Sequence, residues 1–564
     1  MKHLWSARTG VALALAILAA ALGVSMTACG TASTDGGASA SASASGSGAS
    51  DTALFGPLAG GEASGDIDQL TVGLPTGEPG AINPWTAAFF GVNAGLIDLN
   101  LCDLLVRTAP DGTITPALAS KWEYVDDTTL VLTLREDVKF WDGKPLTSAD
   151  VVYSLKMMSD PNMSQGWLFD SVKTITADGP YGVTVRFTQP DELFFQELAT
   201  FAAGIVEKAW AEKVGVDKIG TPKVGVMGSG PYMFKSWTPG QEIVLERNPD
   251  YWDENFRGHA AMVTLKFLPD STALAQALDS GEVDAAWGVP SAVVPPLQDS
   301  SAGKLYFGPS SLMASTNVMR PDGPLADINL RKALMISLDR EALAKAVFNG
   351  SGKANYTLLV PYVWYPETQS EWESAYQPFT TDFAYDLEAA KKLVADSQYG
   401  GEPITVMIPA GDATLSAMAQ YMQAQAKLAG LNVVIKPLQP IPFGNALQSK
   451  EARKGIDLML AVNWMAARDP LEVQGFLLLK TPWNYAEYYD PQVIALLEKA
   501  RHTLDVNERT KLLIEAQAIY EPVQANMSLV NLDEVSYLKS GLAGMSTSWY
   551  YFSIPALALI GSAK

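Results

Sequence analysis

"ALASKWEYVDDTTLVLTLREDVKFWDGKPLTSADVVYSLKMM" (Ala117–Met158) reads in three pieces. "KWEYV" and "LVLTL" are short apolar runs flanking the polar "DDTT", the pattern of a β-hairpin. After the "DGKP" turn, Thr147 and Asp150 stand at the T-x-x-D spacing of a capping box, which predicts a helix over "SADVVYSLKMM". A hairpin that feeds straight into a capped helix marks a mixed α/β chain.

The same grammar continues outward. "GSGPYMFKSWTPGQEIVLERNPDYW" (Gly228–Trp252) predicts a second hairpin: Tyr232 and Phe234 alternate, Pro239-Gly240 turns, and Ile243 and Leu245 alternate on the return. "MVTLKFLPDSTALAQALDSGEVDAAWG" (Met262–Gly288) reads strand, helix, strand, with Ser271 as the expected N-cap and Gly281 as the stop. Toward the N-terminus, "LTVGLP" from Leu70 is the first strand, and "EPGAINPWTAAF" is a loop entering a helix. The second half alternates helices ("NLRKALMISL", "DREALAKAVF", "ATLSAMAQYMQAQAKLAG") with strands ("PITVMIP", "LNVVIKPL", "IDLMLAVNW"). The apolar run Asp457–Trp464 has the look of a strand covered on both faces. Leu415, Met418 and Met422 fall at i, i+3 and i+7, a core stripe. After two long helical runs the last segment shows no clear period.

The N-terminus is of another kind. Lys2 and Arg8 precede the uncharged "GVALALAILAAALGV" (Gly10–Val24), a basic n-region and an apolar h-region with the proportions of a signal peptide. It ends in "MTAC", which resembles a lipobox and makes Cys29 the expected lipidated residue, with Met26 where leucine is commonest. The Gly/Ala/Ser-rich stretch after it reads as a flexible tether, long enough to hold a fold roughly 35 Å from its anchor on random-coil scaling. No later apolar run reaches the length of a transmembrane helix.

The 564 residues suffice for several domains, and 48% hydrophobic residues suffice for a sizeable core. Removal of residues 1–28 takes Lys2 and Arg8 and no acid, deepening the net charge from −21 to −23. So acidic a chain repels phosphate backbones and anionic lipid headgroups, which excludes nucleic acid as the expected partner. Cys102 is the one cysteine besides Cys29, so no intramolecular disulfide is expected. The three histidines (His3, His259, His502) have no metal-ligand spacing, and no P-loop, G-x-S-x-G or G-x-G-x-x-G is present. No cofactor is implied. The expectation is a binding protein rather than an enzyme; a secreted hydrolase stays open, since paired carboxylates come from distant segments.

The two stretches quoted first, with "DINLRKALMISLDREAL" (Asp327–Leu343) and "YYDPQVIALLEKA" (Tyr488–Ala500), resemble the family 5 solute-binding proteins of the dipeptide/oligopeptide class, which serve ATP-binding-cassette importers. The resemblance runs from about Leu70 to the end. It implies an α/β, two-lobed, periplasmic-binding-protein-like fold of the class II type, with mixed sheets flanked by helices, an extra subdomain and two hinge crossings. The implied division is 1–28 signal peptide, 29–66 tether, 67–312 first lobe (with the extra subdomain at about 100–215), 313–527 second lobe and 528–564 return to the first. It further implies a monomer, lipid-anchored on the extracytoplasmic side, that closes on a peptide or, alternatively, an oligosaccharide and passes it to a permease and ATPase complex.

For the site, the informative stretch is "AVNWMAARDPLEV" (Ala461–Val473). In peptide-binding relatives the equivalent loop carries a Gly-Trp pair and then an acidic residue that pairs with the ligand's α-amino group. Trp464 matches the tryptophan, Asn463 replaces the glycine, and Ala467 falls at the acidic position. Asp469, two residues on, has two readings: a displaced amine anchor, or the N-cap of a helix with Pro470 at its first position. Trp464 offers a flat face for a sugar or a side chain. Trp287, which ends a strand, and Phe89 and Phe90, after the first strand, complete the candidates.

Overall fold

The strands Ala119–Asp126 and Thr129–Leu134 pair antiparallel, with Trp122 opposite Leu132, in the computed structural model, which describes residues 55–86, 92–160, 163 and 165–564. Gly182–Phe187 and Val172–Asp178 extend this hairpin into a four-stranded antiparallel sheet. Leu130, Leu132, Val183 and Val185 form its inner face, fully buried. The helix Ser148–Met158 follows, and its start is fixed as the sequence predicts: Asp150 Oδ2 accepts from the Thr147 backbone N–H at 3.0 Å and from its hydroxyl at 2.8 Å.

Two larger sheets carry the rest. The first is seven-stranded, in the order Gly303–Gly308, Glu534–Lys539, Ala285–Ala286, Ile67–Leu74, Ala260–Phe267, Glu242–Arg247, Tyr232–Thr238. Ile67–Leu74 pairs parallel with both its neighbours, whereas the hairpin strands are antiparallel, so the sheet is mixed. The second is six-stranded, in the order Lys353–Ala354, Asn526–Asn531, Met313–Val318, Leu458–Asn463, Ile404–Pro409, Val433–Leu438. Leu458–Asn463 is interior, antiparallel to one neighbour and parallel to the other, and is buried from Leu458 to Val462. Leu415, Met418 and Met422 pack beneath this sheet as core.

The chain passes from the seven-stranded to the six-stranded sheet between Gly308 and Met313, and back between Asn531 and Glu534. The two passages touch. Ser310 Oγ donates to Leu532 O at 2.6 Å, and Leu532 N donates to Leu312 O at 2.9 Å.

Two details differ from the sequence reading. Asp270, not Ser271, caps the helix Ser271–Asp279, its carboxylate accepting from Ala273 N at 2.8 Å; a charged acceptor also complements the helix dipole. And the last segment is not irregular throughout, because Asn526–Asn531 and Glu534–Lys539 are interior strands, one in each large sheet. Both are covered on both faces and bury serines (Ser528, Ser536) among apolar neighbours, which erases the period-two signal. Among the described residues no helix is long and apolar enough to cross a membrane, and Cys29 lies outside them.

Candidate ligand-binding site

The interior strand Leu458–Asn463 ends at a loop, and the helix Pro470–Leu478 starts immediately after it. Trp464, the first loop residue, is half-buried and packs against the core that holds the four-stranded sheet. Its ring lies 5.2 Å from Phe552, 6.1 Å from Trp549 and 6.3 Å from Phe201, centroid to centroid. Those three rings belong to the body of the seven-stranded and four-stranded sheets. A tryptophan from one body thus meets an aromatic wall from the other.

The loop backbone is held from both sides. Met465 O accepts from Trp549 Nε1 at 2.9 Å and from Ser311 Oγ at 3.0 Å. Glu472, one turn into the helix, accepts from Ala467 N at 2.9 Å and Ala466 N at 3.3 Å. Arg468 spans the seam: Nε donates to Tyr362 O at 2.9 Å and Nη1 to Pro110 O at 3.3 Å, with the guanidinium over the Tyr362 ring.

Asn463 donates to Ser315 Oγ at 2.9 Å on the adjacent strand and lies beside Trp464. Trp287 is buried, donates to Ser546 O at 2.9 Å and stacks on Tyr551 at 5.4 Å, which in turn lies 5.6 Å from Trp549. Trp287 therefore joins Trp464 through a continuous run of rings rather than facing it. Beside it, Glu534 Oε1 accepts from Gly288 N at 2.7 Å, and burial pushes this carboxyl up to about 8. Phe89 and Phe90 lie outside the described residues.

Asp469 is fully buried and caps the helix, accepting from Leu471 N at 2.7 Å. Tyr365 Oη donates to the same oxygen at 2.9 Å, and the other oxygen is ion-paired with Arg509. Of its two readings the geometry carries the cap, since both oxygens are occupied and neither faces solvent. Ala467, where the resemblance leads to the expectation of an acidic residue, is buried as well. The loop therefore presents an aromatic face and no free carboxylate.

Sequence reasoning missed Phe201, Trp549, Tyr551 and Phe552. The signal for three of them was the run "SWYYF" (Ser548–Phe552), aromatic without alternation and so suited to neither a half-exposed strand nor a surface loop. Among the described residues no group of His, Cys, Asp and Glu is arranged to hold a metal.

The fold has known counterparts. The model of the bacterial extracellular solute-binding proteins, family 5, matches residues 113–502. A probable di/tripeptide-binding protein of Pseudomonas aeruginosa is 26% identical over 457 residues, covering 75% of this chain and 82% of its own. The ABC transporter-associated periplasmic binding protein DppA from Helicobacter pylori, solved with the peptide STSA, superposes with a TM-score of 0.75 at 20% identity, over 89% of this chain and 99% of that one. The protein AgaA from A. tumefacien R10, solved with agropinic acid, superposes with a TM-score of 0.74 at 22% identity, over 88% and 98%. The matched span covers well over half of the chain, two-lobed folds of this kind superpose on nearly all of the described residues, and the chain belongs to the bacterial extracellular solute-binding proteins of family 5.

Proposed function

We propose that this chain is the lipid-anchored, extracytoplasmic binding component of an ATP-binding-cassette importer, and that it captures a peptide-like solute between two lobes and delivers it to the permease. In this reading residues 67–312 and 532–564 form one lobe, with the extra subdomain at about 100–215, and residues 313–531 form the other, so that the strand Asn526–Asn531 stays whole within its sheet rather than being divided at 527/528. The paired chain passages at Ser310–Leu312 and Leu532 are the hinge. Cys29 is the anchor, and residues 29–66 are the tether. The protein acts as a monomer and catalyses nothing; lobe closure is the mechanism, driven by the solute's preference for the closed form.

The observation that carries this reading is Trp464, delivered by the interior strand of one sheet onto the aromatic wall of the other body. A solute placed there touches both lobes, as closure requires. A peptide is favoured by the di/tripeptide-binding relative. A second reading, an oligosaccharide, is favoured by the site itself: it has stacking faces and lacks a free carboxylate for an α-amino group. A thermal-shift screen of short peptides, the same peptides acetylated at the N-terminus, and oligosaccharides separates the two. A true solute at 100 times its dissociation constant adds about 2.7 kcal/mol of stability. A response to none of the three classes sinks both readings.

A further inference from the structure

Away from Trp464, the helices Pro470–Leu478, Pro491–Arg501 and Val506–Tyr520 of the second body pack on the four-stranded body along a second seam. The short helix Glu192–Glu197 lies in that seam. Arg501 Nε donates to Asp191 Oδ2 at 2.9 Å and its Nη2 to Leu168 O at 3.0 Å, and His502 Nδ1 lies 2.6 Å from Pro190 O. Arg509 pairs with Asp469 and has half-buried Glu192 beside it.

The charges do not balance. Asp191, Glu192, Glu197, Asp469 and Glu472 bring five carboxyls, against the guanidiniums of Arg501 and Arg509. Asp191 and Asp469 take the two ion pairs. Glu197 and Glu472, from opposite bodies, are left without a cation of their own. Glu472 has its two backbone donors, whereas Glu197 Oε2 accepts from Thr200 Oγ1, and among the described residues Glu197 Oε1 has no hydrogen-bond partner, in a small cavity lined by Leu168, Phe169 and Phe194. Two adjacent buried carboxylates without a cation repel one another and forfeit hydration; protonation of one removes both penalties.

We propose that Glu197 and Glu472 form a proton-linked latch, so that the two bodies close with at least one of these carboxyls protonated and closure weakens as pH rises. Burial first raises the affinity of both for protons in the closed form; at Glu197 the carboxyls of Glu472 and Asp469 raise it further, whereas at Glu472 the N–H groups of Ala466 and Ala467 oppose burial and Asp469 adds to it. The other groups facing the pair are Asp469 from the helix cap and Arg501 from the next helix. Opening returns both glutamates to water, where they ionise well below neutral pH. Closure therefore takes up a proton, and the closed-to-open ratio falls up to about tenfold per pH unit for each proton taken up.

The latch rests on the hinge reading and not on the identity of the solute. Small-angle scattering of the solute-free protein tests it. The radius of gyration of the wild type is expected to grow from about pH 6 to about pH 9, whereas Glu197→Gln, which leaves Glu472 alone to titrate, expands less across the same range. Glu472→Gln is the second variant, expected to flatten the same profile. A wild-type radius independent of pH, or glutamine variants that expand as the wild type does, overturns the latch. If a peptide or sugar found by thermal shift still shrinks the radius, the hinge survives without the latch. If neither solute nor pH changes the radius, hinge and latch fall together.

Discussion

The Asp469 carboxylate and the Arg509 guanidinium form an ion pair buried to the exclusion of solvent, with the guanidinium 5.2 Å above the Tyr365 ring. Pairing, capping and the tyrosine hydrogen bond together consume the carboxylate. Asp469→Asn keeps an acceptor for Leu471 N but leaves Arg509 a buried cation without its ion-pair partner. Breaking one side of such a pair costs about 3–5 kcal/mol. Denaturant unfolding is expected to show that loss, while the preference between free and acetylated peptides stays where it was. An affinity change confined to peptides with a free amine, at unchanged stability, would return Asp469 to the role of anchor.

Trp464 is expected to behave in the opposite way. Its ring is half-buried at the seam, so in the proposed reading Trp464→Ala removes a solute-facing surface more than a core side chain. Aromatic pairing alone contributes about 0.5–1.5 kcal/mol beyond buried area, so binding should weaken about tenfold, with Trp464→Phe intermediate. Calorimetric titration of the best hit from the solute screen checks this. Equal affinities for wild type and alanine variant would remove the loop from the site.

What could be read beforehand follows from where the physical signal is local. Thr147 and Asp150 fix a helix start through three residues, and the hairpin turns at "DDTT" and Pro239-Gly240 are equally local, so these elements stood in the sequence. Asp469 was ambiguous because a cap and an anchor need the same residue type, and its ion-pair partner Arg509 lies 40 residues on, where no local spacing announces it. Trp549 and Phe552 join Trp464 only once Asn526–Asn531 and Glu534–Lys539 have carried the chain back between the bodies, and no spacing encodes that return. Glu197 and Glu472 likewise meet only through tertiary packing.

Cys29 lies in "MTAC" ahead of the Gly/Ala/Ser-rich stretch, and the anchor reading makes a direct forecast. Cys29→Ser should move the protein from the membrane fraction to the soluble extracytoplasmic fraction, and mass spectrometry should find lipid on the mature wild-type N-terminus. A variant that stays with the membrane, together with an unmodified wild type, would refute the anchor.

The helix Val92–Leu101 holds the last test. Asp98 is buried in it, and neither carboxylate oxygen has a hydrogen-bond partner. Burial raises its proton affinity well above that of a solvated carboxyl, so the folded protein keeps it neutral where the unfolded chain ionises it. The sign follows from linkage. A carboxyl with a raised folded-state value contributes stability that is complete below its unfolded value, about 3.9, and is lost as pH rises toward the folded one. Asp98→Asn cannot ionise and meets a similar desolvation cost. Wild type and variant should therefore melt together near pH 4, with the variant increasingly the more stable toward neutral pH, up to about 1.4 kcal/mol per pH unit. Because the comparison is a difference between two proteins that share every other titrating group, the Glu197 and Glu472 contributions cancel from it. A gap in melting temperature that is the same at pH 4 and at neutral pH would mean that Asp98 is ionised in the fold and paired by a group that hides its charge.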